Sequence, residues 1–286
     1  MPETPTLRLT IAFTLTLWLA LVACAGDCPG EITRQMHSWG RFQPGAWKLV
    51  RVVTETFDEG RAFPSVTETK TTLSSVNEKD VTLLVEVFVD AAGKQFDPEP
   101  HEVHRSFNDE PAGEEVKIVV TELGTTELDI QGRKIPCKIE QVESQGAGSR
   151  LVTQIYYSET VAPYILRRQS KATDPDGEVS SETTVDVIAL DVPTNTREGI
   201  RPAAHVKITH KHARGTTTTL AVTCMDVPGG IICHSLKELD ESGRMVRRSW
   251  LELVDYGLTP DEEDRGGFFR RRRARSTRKT YRYVPR

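Results

Sequence analysis

The side chains with the most chemical potential in this 286-residue chain are histidines, cysteines and paired carboxylates. His210 and His212 lie two apart, on one face if the segment is extended, with His205, Cys233 and His234 nearby in sequence. Imidazole and thiolate are zinc ligands, but a polar strand edge that also carries Lys207 and Lys211 is the preferred reading. His101-Glu102-Val103-His104 lacks the spacing of the H-E-x-x-H zinc motif, and on a strand its histidines point to opposite faces. Asp186 and Glu252 occupy equivalent positions of an internal repeat. A retaining glycosidase would need such carboxylates about 5 Å apart. Two solvated outer faces are the expected alternative. The chain has no G-x-S-x-G elbow and no phosphate loop. The expectation is therefore no catalytic residue, no metal and no cofactor.

Cysteine chemistry is more informative. Leu9 to Ala23 is an apolar run broken only by threonines, preceded by Arg8. It falls short of the roughly 20 residues of a membrane-spanning helix. It reads instead as the core of a signal peptide covering residues 1–23. Leu21-Val22-Ala23-Cys24 fits a bacterial lipobox, with Cys24 lipidated as the mature N-terminus. Ala23-Cys24-Ala25 also fits an ordinary cleavage site that leaves Gly26 first. Either way Cys28, Cys137, Cys224 and Cys233 remain, an even count that suits disulfides in an exported chain. A two-residue turn at Pro228-Gly229 would set Cys224 opposite Cys233, close enough to bridge.

The elements that position these residues are strands. Ser158 to Val192 recurs as Cys224 to Leu258: subtracting 66 lays Val227 on Val161, Ile231 on Ile165, Asp240 on Asp174 and Gly243 on Gly177. Each copy reads as strand, turn, strand, Asp/Gly turn, strand. Val185 and Val187 flank Asp186 as Leu251 and Leu253 flank Glu252, so the hydrophobic residues should face a core and the acids water. Further strands are expected within 46–57, 67–73, 81–89, 116–122, 135–142 and 151–157, and a short helix within 30–39. The predicted fold is mainly β: curved antiparallel sheets, as an open half-barrel or a sandwich. Residues 24–45 form the N-terminal linker and helix, 46–192 a first β unit, 193–202 a linker and 203–260 a second β unit. A tail, 261–286, is acidic and then basic, and is expected to be disordered.

That tail dominates the charge. From Arg265 to Arg286 there are ten Lys/Arg and no acid, leaving 37 − 10 = 27 bases against 41 acids in the remainder. Arg270, Arg271, Arg272, Arg273, Arg275, Arg278 and Lys279 lie among Phe268, Phe269, Tyr281 and Tyr283. In an exported protein such a segment suits anionic lipid or surface polyanions better than nucleic acid.

Trp39-Gly40-Arg41-Phe42, Pro44-Gly45-Ala46-Trp47, Thr67 to Leu73, Gly132 to Cys137 and Val227-Pro228-Gly229-Gly230 resemble a family of exported proteins of planctomycete-type bacteria. That resemblance implies an envelope location and a β-rich fold, and supplies no catalytic residue. The strand pattern is also similar to the half-barrels of LolA-like lipoprotein carriers, which implies a concave face for acyl chains. Together these readings predict a membrane-anchored envelope lipoprotein, outer-membrane or periplasmic, with a binding or structural role. The alternatives are a carrier of an apolar ligand and, third, an envelope enzyme; for location, a soluble secreted or periplasmic protein.

Overall fold

The structure, a computed structural model, describes residues 33–78, 80–91, 94–96, 98–107, 117–146 and 149–259. The expected signal segment, Cys24, Cys28 and the basic tail lie outside the described residues. Among the described residues fourteen strands follow one another: β1 (Trp47–Asp58), β2 (Arg61–Val76), β3 (Asp80–Ala91), β4 (Lys94–Phe96), β5 (His101–Ser106), β6 (Lys117–Ile130) and β7 (Arg133–Gly146). They continue as β8 (Ser149–Tyr157), β9 (Ile165–Thr173), β10 (Val179–Thr196), β11 (Gly199–His212), β12 (Gly215–Thr223), β13 (Ile231–Asp240) and β14 (Met245–Gly257). They form a single antiparallel sheet ordered β4-β3-β2-β1-β14-β13-β12-β11-β10-β9-β8-β7-β6, with β5 also on β3. It is not closed into a barrel. From β6 to β14 the chain is an uninterrupted meander; β14 then pairs with β1, joining the two ends of the described chain in mid-sheet.

The internal repeat extends to individual backbone hydrogen bonds. Ser158 N donates to Tyr164 O as Cys224 N does to Gly230 O; Tyr164 N donates to Val161 O as Gly230 N does to Val227 O. In the next turn Asp174 Oδ1 accepts from Asp176 N and Glu178 N, and Asp240 Oδ1 from Ser242 N and Arg244 N. These side-chain caps satisfy turn donors that a strand partner cannot reach. The correspondence also reaches further back than the sequence similarity. The same offset carries Arg133–Gly146 onto Gly199–His212 and Ser149–Tyr157 onto Gly215–Thr223, the bounds of β7, β11, β8 and β12.

One face of the sheet is the core. Val52, Leu251, His234, Ala221, Val206 and Val187 are successive register partners across β1, β14, β13, β12, β11 and β10, and all are buried. The sheet curls enough that Leu128, Ile130, Ile135 and Cys137, from the tip of the β6–β7 hairpin, pack with Leu166, Val185 and Val206. A second cluster seats Trp39 and Phe107 on Leu73, Val81 and Leu83.

In three places the structure departs from the sequence expectation. No helix occurs among the described residues: 33–42 is a series of turns, in which His37 Nδ1 accepts from the backbone N–H of Trp39 and Gly40. Those donors are withdrawn from any helical ladder, and a segment this short has little helical stability of its own. Asp191 to Pro202 is not a linker but the end of the β10–β11 hairpin, where Pro193 faces Pro202 and Thr196 faces Gly199. The cysteine register also differs. Chain 224–230 closes as a wider loop, with Gly229 and Gly230 at φ 69° and 73°, so Cys224 bonds to Gly230 while Cys233 lies opposite Val222. Cys137, Cys224 and Cys233 are free thiols in this structure.

Candidate functional site

The structure separates the groups that sequence alone placed near one another. His210 and His212 do share a face, with ring centroids 5.2 Å apart, and His210 Nδ1 is 2.8 Å from Thr183 Oγ1. Burial, then the neighbouring His212, holds the His210 pKa below the usual histidine value. His205 lies on the other face by strand parity, and His234 sits in the buried row opposite Leu251 and Ala221. His210 faces Thr217 on β12, and Thr217 precedes Ala221, the partner of His234, by four positions. At the rise of a strand that is a separation of about 13 Å. Among the described residues no three His, Cys, Asp or Glu side chains converge as a metal site. His104 Nδ1 instead meets Thr82 Oγ1 at 3.2 Å.

The carboxylates fare similarly. Asp186 is bound to Arg167 at 2.6 Å, and Glu252 to Arg51 at 3.3 Å. Their strands, β10 and β14, are four steps apart in the sheet. At the usual strand spacing this is about 19 Å measured along the sheet, far beyond the separation of a glycosidase pair. Arg51 also grips the buried Glu68 at 2.9 Å, so the three residues form a cross-strand ladder over β2, β1 and β14.

A different surface emerges on the face opposite the core. Val53, Trp250, Ser235, Leu220 and Lys207 are successive register partners across β1, β14, β13, β12 and β11. Each is one residue away from the buried row described above, so strand alternation turns it outward. Leu220 and Trp250 are both 50% exposed, Met245 41% and Val53 39%. With Glu55, Thr218, Lys237 and Arg248 they line a shallow groove of about 470 Å³. Arg248 is tied to Glu55 and lies over the Phe57 ring at 5.6 Å. Lys207 and Lys237 make no ion pair with any described residue. The one signal available beforehand was parity: placing Leu251 inward forces Trp250 outward, an uncommon place for so large an apolar side chain.

No family model matches this chain, and no curated protein matches it. Among solved structures it is similar to a protein of Bacteroides fragilis described as exported with a YmcC-like fold, at 9% identity and a TM-score of 0.31, covering 76% of this chain and 98% of that one. A protein of Parabacteroides distasonis described as a lipoprotein gives 12% identity and a TM-score of 0.30, with 76% and 98% covered. A domain of Vibrio parahaemolyticus described as an outer membrane lipoprotein-sorting protein gives 8% and 0.32, with 74% and 84% covered. Likeness at this level assigns no activity.

Proposed function

We propose that this is an exported, lipid-anchored protein of the cell envelope with a non-enzymatic binding role, exercised by the outer face around Trp250. The observation that carries the reading is the pairing of two adjacent register rows, one wholly buried and one displaying Val53, Trp250 and Leu220 to solvent. Apolar surface gathered on a sheet that already has a core points to contact with something else. The Leu21-Val22-Ala23-Cys24 motif supports the anchor. Replacing Cys24 with Ser should release the protein from the membrane fraction, and intact mass should show acyl groups on the wild type only. A wild type that begins at Gly26 would overturn the anchor.

The groove of about 470 Å³ supports a second reading, a carrier of an apolar ligand, since such ligands bind in concave, largely apolar sites. Native mass spectrometry of protein taken from its own membrane separates the two: a retained ligand favours the carrier, and a bare chain favours the binding surface.

A further inference from the structure

The internal repeat offers a control for what the outer face needs in order to fold. At the positions equivalent to Trp250, Ser235, Leu220 and Lys207, subtracting 66 gives Thr184, Gln169, Gln154 and Gln141. Those four are likewise successive register partners, across β10, β9, β8 and β7. One copy thus carries an all-polar row, with Gln154 Nε2 donating to Gln141 Oε1 at 3.3 Å, while the other carries indole, isobutyl and ammonium groups on the same backbone. The scaffold does not require the apolar row.

From this contrast we infer that the face around Trp250 is a docking surface for an anionic lipid bilayer; the inference rests on the binding role proposed for that face and names its partner. Trp250, Leu220, Met245 and Val53 supply apolar area at interfacial depth, and an indole favours the headgroup level. Lys207 adjoins Leu220 in the row, and Lys237 adjoins Arg248 on β14. Long basic side chains bordering an apolar patch keep their charge among headgroups while their stems cover the apolar edge. The backbone beneath is satisfied within the sheet on both sides, so approach to lipid strands no donor or acceptor.

The test uses the mature chain with Cys24→Ser, so that its outcome does not depend on lipidation. Of its tryptophans Trp39 and Trp47 are buried and Trp250 is exposed, so quenching by lipids brominated in their acyl chains reports on Trp250. Quenching should appear with phosphatidylcholine vesicles containing one quarter phosphatidylglycerol and vanish with phosphatidylcholine alone. It should be lost in Trp250→Thr. Lys207→Gln with Lys237→Gln should weaken it about 25-fold, at roughly 1 kcal/mol, or fivefold, per lysine. Lys207→Gln, Leu220→Gln and Trp250→Thr together copy the polar repeat and should fold like the wild type. Sedimentation with vesicles in the absence of quenching would mean that the basic tail alone binds lipid and would overturn the inference. So would quenching indifferent to both lysines. Binding of this face only to a polysaccharide or a protein would overturn the inference while leaving its binding role intact.

Discussion

Lys48 offers the sharpest test of how this sheet is held. It lies buried on β1 near the join to β14, with Nζ 3.4 Å from Gly229 O and 5.3 Å from the centre of the Trp39 ring. Burial pushes its pKa from 10.5 down to about 8. A lysine with a lowered folded pKa binds fewer protons folded than unfolded between those two values, so stability must rise with pH across that window. Below pH 8 the whole penalty is present; above 10.5 it is gone. A displacement of that size corresponds to about 3 kcal/mol. Lys48→Met keeps the stem and removes the charge. It should stabilise the protein at pH 7 by roughly 1–3 kcal/mol, the lower figure applying if the cation–π contact with Trp39 offsets part of the penalty. Urea unfolding of both proteins at pH 7, 9 and 10.5 is the assay, read as the difference between them so that other titrations cancel. The advantage of the variant should shrink steadily towards zero at the highest pH. A variant less stable at pH 7, with a difference that does not change with pH, would show that the ammonium is a net anchor and refute the argument.

Other outcomes follow from neighbouring residues. Burial lowers His37 and His234 from 6.5 to about 4, so each unfolded histidine binds a proton that its folded counterpart refuses between those values. Stability should fall by up to about 3 kcal/mol per histidine as pH drops through that window, and His234→Leu should flatten the acid limb of the thermal-denaturation profile. Gly229→Ala should cost more than an ordinary Gly→Ala change. At φ +69° a Cβ there would meet Lys48 Nζ at 2.5 Å and Trp39 Nε1 at 2.7 Å. A melting temperature unchanged by that substitution would contradict the close packing. The buried Leu251 and the exposed Trp250 beside it test the two faces. Leu251→Ala should lose about 2–5 kcal/mol in chemical denaturation, whereas Trp250→Thr should stay within about 0.5 kcal/mol. Equal losses from the two would sink the assignment of faces.

Much of the architecture was legible because strand chemistry is local. Val185, Val187 and Leu251 are buried while Asp186 and Glu252 reach water, as alternation predicts. The repeat was visible through its Pro/Gly and Asp/Gly turns, whose capping bonds recur at matching positions. What escaped depends on distant residues. Nothing near Trp47 or Gly257 announces that β1 pairs with β14, since that contact joins opposite ends of the described chain. The cysteine register does not follow from a two-residue turn, because Val227, fully buried, draws the chain into a wider loop. Asp191 to Pro202 carries linker composition, yet its facing prolines are accommodated beside the register shifts of β10. The groove is not visible from proximity in sequence, because a sheet groups residues by row: Val53, Trp250 and Leu220 come from three separate strands.

Row membership also explains why two copies of one backbone unit can diverge in use. Inward residues are constrained by packing: Val185 and Leu251 occupy the same position and are both buried. Outward residues answer only to water and to each other. In the first copy Asp186 is secured by Arg167 on the adjacent β9, but the position equivalent to Arg167 in the second copy is Cys233, and Glu252 turns instead to Arg51 on β1. The second copy therefore surrenders its internal ion pair at the place where it meets the N-terminal strands. Its outer row is completed by Val53, a residue from outside the repeat. The apolar face is thus complete only once β1 has paired with β14 and added Val53 to Trp250, which ties the full extent of the proposed binding surface to completion of the fold.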